Sequence, residues 1–560
     1  MAVTLSSLAG AAAQFFDNNG VPLAGGLIYT YTAGTTTPAA TYTSSTGLTA
    51  HTNPIVPNAA GRIATGEVWL TSGVDYKFIV QTALFVQLGS YDNIPSVNDF
   101  TSIYAALANT SNVALGDALI GFKQSNSSGA LGGAVGRTVH QKLQESVSVK
   151  DFGAVGDGST NDAAAIQAAV AAAGYGGSVY FPKGSYRVNS AINVSAASGT
   201  ISGVNFVGEG PSTRIVVGAS GLNCVFNITG TNSKFTNLTI DANSTDVANG
   251  FFVNIGNLAD IGSTIQECTI IGFPVGISGT GQNHYYENNF FLNNVRHIKF
   301  TDDGRNTSIS GNYMLGGSYG IVFETTSQQA EGTRIINNTI LVTVGSGAGI
   351  EIQAGLEITL LANIIDQTGV GSVGINLIPS GGNAISSIKM TDNWIAAGQG
   401  SYGVFANGNN TELHFNTNTF VSNNSLITLS AINLTNTNTY GIIDNRFLMT
   451  YSGATQDIVT SGTVNSTLLG NSSSLGTSVA LLNRLNSRLS IATDLIVDLY
   501  VYAAGLRIGT GGSIVTGNTG DPNGVLTALT SSIYMRYDGG VGAHIYVCQG
   551  GTVWTAIPGV

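Results

Sequence analysis

The sequence predicts an all-β chain whose larger part is a parallel β-helix, and three observations carry that prediction. An asparagine followed by apolar or β-branched residues recurs as Asn289-Phe290, Asn312-Tyr313, Asn338-Thr339-Ile340, Asn363-Ile364, Asn393-Trp394, Asn418-Thr419-Phe420, Asn445-Arg446-Phe447 and Asn471. The spacings are 23, 26, 25, 30, 25, 27 and 26 residues, a period that marks a solenoid whose coils bury a core only by stacking. Around the phrase, Ile, Val, Phe, Thr, Asn and Gly alternate with period two, so the coils are strands rather than helices. The chain also holds 74 Gly and only 9% charged residues in 560, a turn-rich composition long enough for several domains.

The elements follow in order. Residues 1–98 read as a small antiparallel β domain: Gly25-Gly26-Leu27-Ile28-Tyr29-Thr30-Tyr31 alternates after a glycine turn. Short strands are expected near Ala40–Tyr42, Glu67–Leu70, Tyr76–Val80 and Phe85–Tyr91. Residues 99–148, richer in Ala, Leu, Ser and Gly, read as a partly helical neck. The β-helix is assigned to 149–477. Asn161-Asp162 caps a helix over Ala163–Ala173 with Ile166 and Val170 on one face, placed to cover the open end of the first coil. Residues 478–560 form a C-terminal β module. Ile491–Val501 is an aliphatic segment suited to a strand pair or a subunit interface. Strands at Ser532–Arg536 and His544–Val547 are joined through Asp538-Gly539-Gly540.

A formal net charge of -11 with 20 Lys plus Arg and no basic run argues against nucleic acid, which requires a cationic footprint. It suits neutral polymers such as sugars better. Cys224, Cys268 and Cys548 are odd in number and widely spaced, so a disulfide framework and a zinc cluster are not expected; Cys224 and Cys268 read as small buried hydrophobes. No His pair or acidic cluster has metal-ligand spacing, so neither metal nor other cofactor is expected. Met1–Ala13 is apolar but lacks Lys and Arg and is too short for a bilayer span, and no other stretch reaches that length. The expectation is a chain made in a bacterial cytoplasm, without Sec-type export or membrane insertion.

Three stretches resemble one family. Gln14-Phe15-Phe16-Asp17-Asn18-Asn19-Gly20, the Gly-Gly-Leu-Ile-Tyr strand, and Asn53-Pro54-Ile55-Val56 with Ala60-Gly61-Arg62 resemble the virion-binding domain of short-tailed phage tailspikes. The junction from Glu145 through Val149-Lys150-Asp151-Phe152-Gly153-Ala154-Val155-Gly156-Asp157-Gly158 resembles the start of the pectate-lyase-like, right-handed β-helix of those spikes. The C-terminal module resembles small β modules at the tips of phage tail proteins. The resemblance implies a homotrimer in the virion tail, docked to tail or adaptor proteins through its N-terminal domain. Its β-helix would contact bacterial surface polysaccharide. Many members of the family cut that polysaccharide and others only bind it.

A glycosidase needs two carboxyl groups within reach of one bond. Aligning Gly320-Ile321-Val322-Phe323, Gly349-Ile350-Glu351-Ile352, Gly374-Ile375-Asn376-Leu377 and Gly403-Val404-Phe405-Ala406 puts the Ile, Phe and Leu residues inward and Glu351 outward. Glu324 then lies on the preceding coil, two residues along, about 8 Å from Glu351. An inverting hydrolase wants roughly 6.5–9.5 Å. A solvated face or a subunit contact is the competing reading of both. Asp366 and Asp392 are the next candidates, each also readable as a turn-capping carboxylate at a bend. Glu357 and Glu412 fall two coils apart, too far for one bond unless something bridges them. Asp302 and Asp303 read as a turn, and Asp241 is a weaker outsider. Outward aromatics suited to stacking on sugar are Tyr319, Tyr402 and Phe405, with Tyr285 and Tyr286 behind them.

Three readings of the chain's activity stand at this point. It is a glycoside hydrolase acting through Glu324 and Glu351, an adhesive fibre without an active site, or a lyase with Lys389 or Arg334 beside the acid. The repeated Asn reads as an internal hydrogen-bonded ladder rather than a sugar site. The motif from Asp151 to Gly158 reads as a folding element.

Overall fold

The computed structural model describes residues 3–95, 100–126, 128–129, 131–195, 203–254, 262–324, 330–422, 429–437, 439–449, 457–461, 465–473, 506–508, 513–518, 521–524, 533–536 and 545–557. Two compact units are present, Met1–Asn486 and Ser487–Val560.

The larger unit is dominated by a parallel β-solenoid of about 11 turns. The coils build three sheets, some with an added short strand such as Ala330–Glu331 or Gly355–Leu356. The strands just before the ladder asparagine stack into a leading sheet, for example Tyr285–Glu287, Ser308–Ser310, Arg334–Ile336 and Thr359–Leu361. Those just after it stack into a trailing sheet, including Phe290–Leu292, Tyr313–Leu315, Thr339–Val342 and Ile364–Gln367. The third, here the glycine sheet, carries Arg296–Phe300, Tyr319–Phe323, Ala348–Ile352 and Val373–Leu377.

The Asn phrase is the internal ladder. From Asn289 to Asn445 each backbone N–H donates to the Oδ1 of the next asparagine at 2.9–3.0 Å, ending on Asn471. Each Nδ2 donates to that same Oδ1 and back to a carbonyl of the preceding coil, and those of Asn312, Asn338 and Asn445 also reach a carbonyl two residues earlier. Asn363 Nδ2, for instance, reaches Asn393 Oδ1 at 2.9 Å and Ile335 O at 2.8 Å. These side chains lie inside the coil, 0–2% exposed from Asn289 to Asn445. A side-chain amide offers a carbonyl acceptor and two N–H donors at once, and a buried chain bend needs both kinds of group.

The Gly-Ile phrase has an equally local cause. A Cβ on Gly320 would stand 2.4 Å from the carbonyl oxygen of Gly349, and one on Gly374 would stand 2.4 Å from that of Gly403. The expected register holds: Ile321 pairs with Ile350, Ile350 with Ile375, and Ile375 with Val404. All are fully buried, as are Phe323, Ile352 and Leu377. Interior aromatics stack along the axis, as in Phe300–Phe323 at 5.0 Å and 5°, each pair adding about 0.5–1.5 kcal/mol beyond its burial.

The helix Ala163–Ala173 forms with Ile166 and Val170 buried, but its cap differs from expectation. The Asp162 carboxylate turns away from the helix and accepts the backbone N–H groups of Val155 and Gly156 at 2.7 and 3.0 Å, while Asn161 Oδ1 accepts from Ala163 N. The segment from Asp151 to Gly158 is thus pinned to the helix start. Asp157, whose carboxyl is held well below its ordinary range by the N–H groups of Thr160 and Ser159, closes the following turn.

Near the N-terminus, Leu27–Thr32, Tyr76–Gln81 and Gln87–Ile94 make an antiparallel sheet, and Val3–Leu5 pairs with Trp69–Thr71. Tyr42 forms isolated bridges with Ala50 and Trp69 rather than lying in a strand. The motif at Gln14 meets the one at Ala60-Gly61-Arg62, since Gln14 Nε2 donates to Ala60 O at 2.8 Å. Between the sheet and the solenoid lie short helices, Phe100–Leu107 and Val139–Leu143, the second closed by a Thr138–Gln141 capping box. In the smaller unit five strands form one sheet. Ile533–Arg536 pairs antiparallel with Ile545–Gly550 around buried Tyr534, Tyr546, Cys548 and Trp554. The Ile491–Val501 segment and the turn at Asp538-Gly539-Gly540 lie outside the described residues. All three cysteines are buried thiols. Among the described residues no helix is long and apolar enough to cross a membrane.

Two stability predictions follow. Asn363→Ala strands the N–H of Asn338 and the carbonyl of Ile335, each orphaned group costing about 1–3 kcal/mol. The unfolding midpoint in denaturant should fall markedly, whereas loss of an exposed asparagine such as Asn58 should cost far less. His297 is buried, its Nε2 3.0 Å from the Gly316 carbonyl and its Nδ1 3.2 Å from the Asn294 amide. That pattern needs neutral imidazole. Burial pushes the His297 pKa down to about 4, and that of His284 likewise. The unfolded chain therefore binds protons first, and stability present at neutral pH drains away between about 6.5 and 4. Urea unfolding across that window should show the loss, and His297→Gln should flatten part of the slope.

Candidate functional site

The glycine sheet brings the expected carboxylates to one face. Val322 pairs with Glu351 in the register, so Glu324 stands one coil earlier and two residues along, an offset of about 8 Å. Glu324 is half-buried beside two cations: Lys299 Nζ is 2.5 Å from Oε2 and Arg296 Nε is 3.4 Å from Oε1. The Arg296 guanidinium lies 5.1 Å over the Tyr319 ring. Glu351 is 8% exposed and accepts from two neutral amides, Gln353 Nε2 and Asn376 Nδ2, both at 2.9 Å. Burial, and then the charge of Glu351, push the Tyr319 hydroxyl pKa upward.

Two coils beyond Glu351, and in its own column, stands Phe405, by way of Asn376. Its ring stacks on Tyr402 at 5.0 Å and 24°. The face thus carries a charged end and an aromatic end along one flat row. It can hold a polar chain, exchange a proton through a carboxyl, and neutralise developing charge with Arg296 or Lys299.

The other candidates lie elsewhere. Asp366 sits within the trailing-sheet strand Ile364–Gln367, not at a bend; it pairs in register with Leu341 and Ala396, and burial raises its pKa. Asp392 does occupy a bend, left-handed at φ 54° and bonded to the Thr417 hydroxyl. Neither shares the face of Glu351. Asp303 is buried and gripped by Arg305 at 2.8 and 3.0 Å, and Asp241 pairs with Arg214. Tyr285 is exposed on the leading sheet, but Tyr286 points inward and is fully buried, because adjacent strand residues face opposite sides. Lys389 and Arg334 also lie on the leading sheet, so they are not the bases beside Glu324 and Glu351. The cations that do sit there, Arg296 and Lys299, were missed. The coil Arg296-His297-Ile298-Lys299-Phe300 has His297 where later coils have glycine, which hides it from the Gly-Ile phrase. Counting forward from the ladder residue Asn289 would have found it.

Among the described residues no group of three or more His, Cys, Asp or Glu is arranged to hold a metal ion.

The fold is a parallel β-helix, and residues 146–376 match the family model for rhamnogalacturonase A/epimerase, pectate lyase-like. The chain is 40% identical over 109 residues to mannuronan C5-epimerase AlgE3 of Azotobacter vinelandii, which covers 17% of this chain and 6% of the epimerase. It is 49% identical over 57 residues to the tail spike protein of an Escherichia phage, covering 10% of this chain and 6% of that protein. The chain therefore spans well under a tenth of the length of these curated relatives. Among solved structures, a tailspike protein of E. coli bacteriophage HK620 in complex with a hexasaccharide aligns with TM-score 0.48 at 14% identity, over 67% of this chain and 71% of that one.

Proposed function

We propose that this chain is a bacteriophage tailspike that attaches the virion to bacterial surface polysaccharide and hydrolyses it on the glycine sheet. The observation that carries the reading is the pairing of Glu324 and Glu351 on one outward face, in line with the Tyr402–Phe405 stack. Glu324, held by Lys299 and Arg296, is the carboxylate that activates water; Glu351, with only amide partners, is the proton donor. Their offset suits inversion. The short match to a phage tail spike protein and the N-terminal motifs support the virion role, with residues 1–98 docking to tail or adaptor proteins. The domain limits 99–148, 149–477 and 478–560 complete that scheme as neck, glycan-binding shaft and tip.

The subunit contact of a homotrimer fits the trailing sheet. Its outward columns run Phe290, Tyr313, Thr339, Ile364 and Leu292, Leu315, Leu341, Asp366, a largely apolar strip that only its last coil breaks with a carboxylate. The Phe290 and Tyr313 rings stack at 5.4 Å.

A second reading, adhesion without cleavage, is favoured by the near-burial of Glu351 and the occupation of both its oxygens by amides.

Incubating the protein with host polysaccharide and measuring new reducing ends separates the two. Hydrolysis predicts release that drops at least about 100-fold in Glu351→Gln and Glu324→Gln. Tight binding with no release across several glycans would leave adhesion, and an ultraviolet-absorbing product would assign elimination instead. A mass measurement in solution should give three times the 57.4 kDa chain, and Tyr313→Asp with Ile364→Asp should shift it to monomer. A monomeric wild-type chain would defeat the trimer.

A further inference from the structure

The leading sheet carries a groove of 540 Å³ that the proposed activity does not use. Its floor is one outward column in unbroken register: Arg334 pairs with Thr359, Thr359 with Lys389, and Lys389 with His414. Coils spaced by about 4.8 Å put Arg334 and Lys389 about 9.6 Å apart, with His414 one coil further. Its rim is the bend two residues earlier, where Glu357, Ser387 and Glu412 follow one another, all left-handed at φ 55°, 56° and 54°. The Ser387 hydroxyl donates to Glu412, bridging toward the second carboxylate of the pair that sequence spacing alone leaves two coils apart.

The charges in this groove are not spent on one another. Among the described residues neither the Arg334 nor the Lys389 side chain has a hydrogen-bond or ion-pair partner, although two glutamates line the same groove. The contrast is with the glycine sheet, where Lys299 and Arg296 are closed onto Glu324. An ordinary solvated face scatters its charges. Here donors occupy one row and acceptors the neighbouring row, and the space between is within the usual size of a small-molecule site.

We propose that this groove is a second glycan subsite, selective for a saccharide residue bearing a carboxylate. The carboxylate lies against Arg334 and Lys389, the guanidinium taking it bidentately. The sugar hydroxyls donate to Glu357 and Glu412 on the rim. Thr359 and His414 complete the floor between and beyond the two cations. A neutral sugar satisfies the rim but leaves the cations with water, so the acid group decides selectivity. The subsite lies on a different sheet from Glu324 and Glu351 and stands or falls independently of them. It holds ligand and performs no chemistry.

The test is calorimetric binding of oligogalacturonate and oligomannuronate to the full chain, with maltohexaose as the uncharged control. An acidic oligomer should bind and the control should bind at least tenfold more weakly. Raising sodium chloride from 50 to 500 mM should weaken the acidic ligand alone. Arg334→Gln with Lys389→Gln should lower its affinity at least tenfold with an unchanged thermal midpoint, and Lys389→Arg should retain it. Glu351→Gln should leave this binding intact while abolishing reducing-end release, which separates the subsite from the hydrolase reading. Failure of both acidic oligomers to bind, equal binding of maltohexaose, or full binding by the double variant would each overturn the proposal.

Discussion

The structure depends on a single repeated contact, the asparagine side chain that joins each coil to the next. A solenoid bend inside a hydrophobic core leaves backbone groups with no strand partner. Asn338, as one example, answers for three of them: its own N–H reaches Asn363, and its Nδ2 reaches the Ile309 and Ile336 carbonyls. Because each amide is both donor and acceptor, the ladder can continue only if every coil presents the same atom at the same height. It therefore fixes the translation between coils as well as the bend. Loops between the other sheets vary freely in length, from the short turn before Ser308 to the longer segment before Arg334, without disturbing that alignment.

Fixed translation sorts the surface by column. Any outward position on one strand has a neighbour of known identity on the next, about 4.8 Å away. The three sheets use this differently. On the trailing sheet the columns are aromatic and aliphatic. On the glycine sheet they bring charged groups together and then aromatic ones. On the leading sheet they hold unpaired cations beside a carboxylate rim. The close approach of glycines such as Gly320 and Gly349 belongs to the same logic, since a Cβ there would collide with the carbonyl of the next coil.

The ladder and the Gly-Ile phrase were legible because each is dictated by a local necessity, an amide at a bend and a missing Cβ at a close approach. From them the inward residues, the offset of Glu324 from Glu351, and the column through Phe405 could be read without coordinates. What escaped was decided by tertiary contact. Asp162 has the identity of a helix cap, but a nearby loop with two free N–H groups competes for its carboxylate and wins. Tyr285 and Tyr286 look alike in composition and differ only in strand parity. His297 fills the place of a glycine because the bend of the next coil, at Gly316, offers its ring a carbonyl. That exchange concealed the coil bearing Arg296 and Lys299.

Those two cations bear on how a pair of identical acids could divide its labour. Glu324 has its countercharges built in, whereas Glu351 is stabilised only by the dipoles of Gln353 and Asn376. A polysaccharide laid along the Tyr402–Phe405 row would remove water from the face and meet the two carboxylates in different surroundings. Glu324 would keep its ion pairs in a medium where they grow stronger; Glu351, already nearly buried, would keep only its amide partners. The proposed division of labour, Glu324 as base and Glu351 as acid, rests on that asymmetry of neighbours. Acid and base would be set by which neighbour each carboxylate has, and that neighbour is set by the register the ladder imposes.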